Sequence, residues 1–258
     1  MRPAVNILNR KHNHRHKIEF AAYLILSTDL AGVYQIGGRP GMNKNSGNGI
    51  LLREQVFRNN GTYVSYPLVV SSDMAVKTDA LNDIILGDIN KILNLYSADA
   101  FLPPAGGPDV FLRDTLNIRY EIMRNDNNYL SIFYTADFYS PYGAYPTQTV
   151  YTTNIDLQNV RRIRLQDLNE VDNTLINEFL SWEPVNINPQ YMAGIRDYIR
   201  GLGTGIVQRG FASADIIGSD NFLGIFSYLK PGRLGISISL PNYLGNHAEF
   251  EKVLNANA

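Results

Sequence analysis

Hydrophobic positions along the chain switch repeatedly between a period of two and a period of three to four, and the switches divide it into elements. Residues 62–70, TYVSYPLVV, are β-branched and aromatic and predict a strand. Pro67 marks an edge or a bulge there, because proline has no N–H to give a ladder. The period then changes. Leu81, Ile84, Ile85, Ile89, Ile92, Leu93 and Tyr96 recur at spacings of three and four, the stripe of an amphipathic helix, with Thr78 or Asp79 available as N-cap. After the loop ADAFLPPAGGPD, residues 98–109, Ile118, Tyr120 and Ile122 alternate with Arg119 and Glu121, the signature of a half-buried antiparallel strand. A turn at residues 125–128 leads to a second strand, YLSIFYTADFYS, and QTVYTTNIDL supplies a third, so the three form a meander. VRRIRL gives a short fourth, with Arg162 and Arg164 on one face and Ile163 and Leu165 on the other.

Helical spacing returns in Leu175, Ile176, Phe179, Leu180 and Trp182, which stop before Pro184. A further helix has Asn188 as N-cap, Pro189 in its first turn, the stripe Met192, Ile195, Tyr198, Ile199 and Leu202, and Gly203 as its stop. NFLGIFSYLKPGRLGISISL then reads as a hairpin turning at residues 230–233. Strands, then helices, then strands predict an α+β fold: an antiparallel meander packed by about three α-helices.

Composition narrows the function classes. The 258-residue chain carries 23 Lys plus Arg against 24 Asp plus Glu with no basic block, so it lacks the electrostatic footprint of a nucleic-acid binder. With no cysteine it has no disulfides, thiolate chemistry or cysteine zinc sites. Near the start, a basic stretch precedes the seven apolar residues 20–26, the charge order of a secretory signal peptide, but Glu19 and Asp29 bracket the run closely and it is far too short for a transmembrane span. His12, His14 and His16 would share one face of an extended segment, where they either hold a metal or belong to a basic arm. GGRPGMNKNSGNG, residues 37–49, reads as a linker, so the packed part begins near Ile50.

The stretch FYSPYGAYPTQT raises the main functional question, because it concentrates aromatic rings in a strand connection. Tyr139, Tyr142 and Tyr145, with Tyr151 just inside the next strand, are candidate ligand-binding residues. A tyrosine offers a flat apolar face and a hydroxyl while losing few rotamers. In the other reading, two of these rings fold back onto the sheet and Pro141 and Pro146 stiffen the turn. For catalysis, a glycosidase needs two facing carboxylates. Asp137, Asp156 and Asp167 are the candidates, but Asp156 opens the turn DLQN and Asp167 precedes a helical region, both ordinary structural places for a short acid. His247 is the one histidine outside the arm, and no G-x-S-x-G elbow accompanies it. GLGTGIVQRG follows a helix rather than a strand and reads as a helix stop and a turn. Arg161, Arg162 and Arg164 either grip an acidic partner or form a solvated strand face.

Three stretches in order resemble an extracytoplasmic bacterial pair of domains, DUF4163 and DUF3298. They are YVSYPLVV with the helix bearing DIILGDINKIL; the run YLSIFYTADFYSPYGAYPTQTVYTTNIDLQNVRRIRLQDL; and RLGISISLPNYLGNHAEFEKV, which ends in a last short strand. The pair occurs in RsiV-like anti-sigma factors, where it binds lysozyme, and beside peptidoglycan deacetylase domains. Where the family's loop runs from Gly-Ala into His-Gly, this chain has Tyr145 and Pro146. The resemblance implies an arm and linker over residues 1–49, a DUF4163-like subdomain over 50–168 and a DUF3298-like subdomain over 169–258, closely joined. It also implies an extracytoplasmic binding or sensing module, without catalytic residues, cofactor or metal, that recognises a cell-wall glycan or a wall-targeting protein such as lysozyme. The alternative is a hydrolase acting on cell-wall polysaccharide through a carboxylate pair.

Overall fold

A computed structural model describes residues 49–59, 61–70, 75–96 and 114–254, all within the compact unit Met42–Ala258. The three arm histidines, nearly all of the linker and the loop at 98–109 lie outside the described residues. Among the described residues, two sheets and five α-helices make an α+β fold. The first sheet has six strands in sequence order: β1 (Leu52–Asn59), β2 (Thr62–Val69), β3 (Thr115–Asn125), β4 (Tyr129–Tyr139), β5 (Thr147–Asp156) and β6 (Arg161–Ile163). The second has four, in the order β7 (Glu183–Val185), β10 (His247–Val253), β9 (Arg233–Ser239) and β8 (Phe226–Lys230). All neighbours are antiparallel except β2 and β3, which run parallel over Val64 and Ile118 and the two residues before each. Pro67 lies in β2 beyond that short parallel stretch, where no β3 partner needs the N–H it lacks.

Helix α1 (Ala75–Tyr96) begins one turn earlier than its sequence caps suggest and lays Leu81, Ile85, Ile89, Ile92 and Leu93, all buried, on one face of the first sheet. Each such side chain contributes about 1.5–3 kcal/mol of burial. Asn82 fastens the helix to the strand before it, accepting from Val69 N at 2.8 Å and donating to Val69 O at 3.1 Å. Helices α2 (Leu165–Leu168), α3 (Asn173–Phe179), α4 (Met192–Gly201) and α5 (Thr204–Ala212) follow, and buried side chains of α3, α4 and α5 cover the apolar face of the second sheet. At the centre of that core Phe179 meets Trp182, Phe211 and Phe250 edge-on, with centroids 5.9, 5.2 and 4.8 Å away.

Two of the five helices depart from the sequence reading. VRRIRL leaves the sheet after Ile163, and Leu165 opens the single turn of α2, which Asp167 caps by accepting from Arg164 N at 2.8 Å. The glycine cluster at 201–210 is not a turn: Gly203, at φ +82, ends one helix and starts α5, which buries Val207 and Phe211. Gly210 is required there because a β-carbon would collide with Leu223.

The sheets meet through polar groups, which explains why β4 and β5 are buried on both faces. Thr153 and Tyr151 turn toward α1, whereas Ser131 and Asn154, paired across the strands, turn toward β8. β8 is the edge of its sheet, and its outward groups are satisfied by side chains. Leu229 N donates to Ser131 Oγ at 3.0 Å, Ser227 O accepts from Asn154 Nδ2 at 2.8 Å, and Ser227 N donates to Asp215 at 2.6 Å. Asp215, buried and at φ +64, also accepts from Leu165 N at 2.6 Å and from Ser227 Oγ at 2.7 Å. Burial pushes its carboxyl above the usual range, opposed by those donors.

Candidate functional site

The tyrosine connection, residues 140–146, is the turn between β4 and β5. Pairing runs up to Phe138 opposite Thr147, and the loop folds on itself through Gly143 N to Ser140 O at 2.9 Å. Tyr139, Tyr142 and Tyr145 are 45%, 64% and 69% exposed, so three of the four candidate rings stand open to solvent. Tyr151 does not join them. It is 6% exposed, packs edge-on against Phe226 at 5.3 Å, and shares a hydrogen bond of 3.1 Å between its hydroxyl and that of Tyr96. Burial first, and then Tyr96, raise its pKa well above the usual tyrosine range. Tyr151 is therefore part of the packing between α1, β5 and β8, and the exposed rings of the group are the other three.

Strand alternation puts polar groups beside the rings. Asp137 lies two residues before Tyr139 and on the same face of β4. It accepts from Arg119 at 2.5 Å and from Gln148 Nε2 at 2.7 Å, so the three side chains form a row across β3, β4 and β5. Asn117, opposite Asp137 in the ladder, has a buried side-chain oxygen with no hydrogen-bond donor. A second element, the 3-10 turn Asn242–Leu244, is tied to the loop by Asn242 Nδ2, which donates to Pro146 O at 3.2 Å. It brings Tyr243, 71% exposed, to the same rim. The sequence held a signal for Tyr243: PNYLGN surrounds its ring with proline, glycine and asparagine, as SPYGAYP does.

None of the three acids singled out for catalysis is free. Asp137 is paired with Arg119. Asp156 accepts from the side chain and N–H of Asn159 and from Gln158 N, and these donors hold its carboxyl below the usual range. Asp167 caps α2. Two other carboxylates do face each other: Glu249 and Glu251 on β10, which both accept from Tyr228 Oη, at 3.2 and 3.0 Å. They are 6% and 4% exposed, and Lys230 neutralises Glu251 at 2.6 Å, so the pair is a closed structural cluster rather than a cleft. His247 belongs to it, with Nε2 3.4 Å from Glu249. Among the described residues, no group of three or more His, Asp or Glu side chains is arranged to hold a metal ion, and no helix is long and apolar enough to cross a membrane.

Of the arginine run, Arg161 is half exposed between Asp156 and Asp167, whereas Arg162 turns inward. Its guanidinium donates to Asp88 at 2.6 Å, to Asp215 O at 2.7 Å and to Thr152 O at 3.1 Å. Arg162 is thus neither a partner-gripping group nor a solvated one, but a clamp between α1, β5 and the segment leading to β8.

No family model matches the chain, and no curated protein matches its sequence. Solved structures similar to it include a member of the DUF3298 family from Bacteroides fragilis, with a TM-score of 0.48 and 16% identity over 80% of this chain and 92% of that one. Another is a DUF3298 family protein from Pseudomonas aeruginosa, with a TM-score of 0.42 and 12% identity over 79% and 88%.

Proposed function

We propose that the chain is a non-catalytic extracytoplasmic binding or sensing module of the RsiV-like type, recognising a cell-wall glycan or a wall-targeting protein such as lysozyme through Tyr139, Tyr142, Tyr145 and Tyr243. In this reading residues 50–168 are its DUF4163-like part and 169–258 its DUF3298-like part. The observation that carries it is the rim itself. Two separate loops, tied by Asn242 and Pro146, hold exposed rings beside a row of hydrogen-bonding side chains, Arg119, Asp137 and Gln148. Flat apolar faces next to fixed donors and acceptors suit a sugar ring or a protein loop. The polysaccharide-hydrolase alternative lacks comparable support, since each candidate carboxylate already caps, turns or pairs with a neighbour.

Tyrosine nitration mapped by peptide mass spectrometry tests the reading. Saturating lysozyme or soluble peptidoglycan fragments should protect the four rim tyrosines. Nitration unchanged by either ligand would refute the assignment of the rim.

A further inference from the structure

We propose that β1 is a dimerisation edge, pairing antiparallel with β1 of a second copy of this chain about a two-fold axis at Val56. The two sheets have four edges, and three of them are closed to new strands. β6 has three residues, β7 has three with Pro184 at its centre, and the outward groups of β8 are capped by Ser131, Asn154 and Asp215. β1 differs: it runs for eight residues with neither proline nor bulge, and among the described residues only β2 pairs with it.

Its backbone polarity is fixed by the β2 ladder. Val70 N donates to Leu51 O at 2.9 Å, so the odd-numbered residues turn both backbone groups toward β2, and Leu52, Glu54, Val56 and Arg58 turn theirs outward. An incoming antiparallel strand must bond to those four. With the axis at Val56, Val56 meets Val56 of the copy, and Glu54 and Arg58 each meet the opposite charge of the other strand, one ion pair at each end by symmetry. Other registers lose this match. An axis at Glu54 or at Arg58 opposes like charges, and an axis at Gln55 or Phe57 leaves Glu54 and Arg58 without opposite charges. Val56 is 45% exposed, and neither Glu54 nor Arg58 has an ion-pair partner among the described residues; Arg58 rests over the Tyr63 ring, 5.1 Å from its centroid. Cross-strand pairs of opposite charge stabilise and like charges destabilise, so the edge specifies its own reverse as partner.

Sedimentation equilibrium on the full 258-residue chain tests this. Wild type should form a dimer. Glu54→Arg and Arg58→Glu should each raise the dissociation constant about tenfold or more, by placing like charges opposite each other at both ends. An equimolar mixture of the two single variants should recover the dimer as a heterodimer, because each then supplies the charges the other lacks, and the Glu54→Arg/Arg58→Glu double variant should recover it alone. These side chains lie on an exposed strand face, so the variants fold, as circular dichroism should verify. A monomeric wild type overturns the proposal. So does a dimer indifferent to both single reversals, and so does hydrogen-exchange protection of the Val56 amide in a monomer, which would show the chain's own remaining segments on this edge.

Discussion

Replacing Arg162 with alanine should cost far more stability than replacing its neighbour Arg161, although the sequence presents the two as equals. The change strips three hydrogen bonds at once, those to Asp88, Asp215 O and Thr152 O. Asp88 is 1% exposed and, among the described residues, keeps Lys91 at 3.0 Å and Thr153 at 2.9 Å. Breaking a buried pair by removing one partner costs about 3–5 kcal/mol, because the remaining charge is left uncompensated. The side chain of Arg162 is 20% exposed, so water relieves part of this, and about 3 kcal/mol is the expected loss. The Arg161 side chain is 52% exposed, with carboxylate oxygens at 3.8 and 3.5 Å, and its removal should cost about 0–1 kcal/mol. Urea unfolding reads both, as a fall in midpoint at constant slope. Adding Asp88→Asn to Arg162→Ala should recover part of the loss, since it removes the stranded charge. Equal costs for the two arginines, or a loss below about 1 kcal/mol for Arg162→Ala, would refute the clamp.

Gly235→Ala should destabilise the second sheet by about 3 kcal/mol or more, because its β-carbon would collide with the ring of Tyr228 packed against the strand; thermal unfolding checks this. Tyr228→Phe should cost about 1–3 kcal/mol in urea unfolding, since Glu249 and Glu251 lose the hydroxyl that both accept from. Alkaline pH should unfold the protein cooperatively. Burial raises the pKa values of Tyr66, Tyr134, Tyr151 and Tyr228, and that of Tyr120 to about 12, so their contribution is full below about pH 10 and is lost as pH rises through the folded values. Absorbance of tyrosinate followed against pH should show these rings ionising together with loss of circular dichroism. Ionisation of all sixteen tyrosines in one transition, without loss of structure, would contradict their burial.

Periodicity made β3 and α1 legible, because each pairs a buried face with a more exposed one. β4 and β5, buried on both faces, were legible as β-branched and aromatic runs between turns, and the closing hairpin from its turn at Pro231 and Gly232. What escaped is physically of one kind. LREQVFRN shows no alternation because β1 is an edge strand with both faces largely wet. α5 carries Gly205 and Gly210, of which Gly210 must admit Leu223, so propensity pointed away from helix while packing of Val207 and Phe211 imposed it. Arg161 and Arg162 carry the same charge but point to opposite faces of β6, and which face is the inner one depends on Asp88 of α1, distant in sequence, lying on the side of Arg162. Tyr151, grouped with Tyr139 from the sequence, lies in the middle of β5, where Phe226 and Tyr96, distant in sequence, make it core. The remaining three tyrosines were legible as a loop cluster, and Tyr243 was missed because its loop is joined to theirs only by tertiary contact.

The most direct test of the proposed role is the affinity of the wild-type chain and of a Tyr142→Ala/Tyr145→Ala variant for lysozyme and for soluble peptidoglycan fragments, measured by titration calorimetry. Both side chains are more than 60% exposed, so the variant should unfold at the same urea concentration as wild type. Saturable binding of one of the two ligands by the wild type, weakened about tenfold or more in the variant, is the predicted result. Equal affinity in the two proteins, or no binding of either ligand to the wild type, would contradict it.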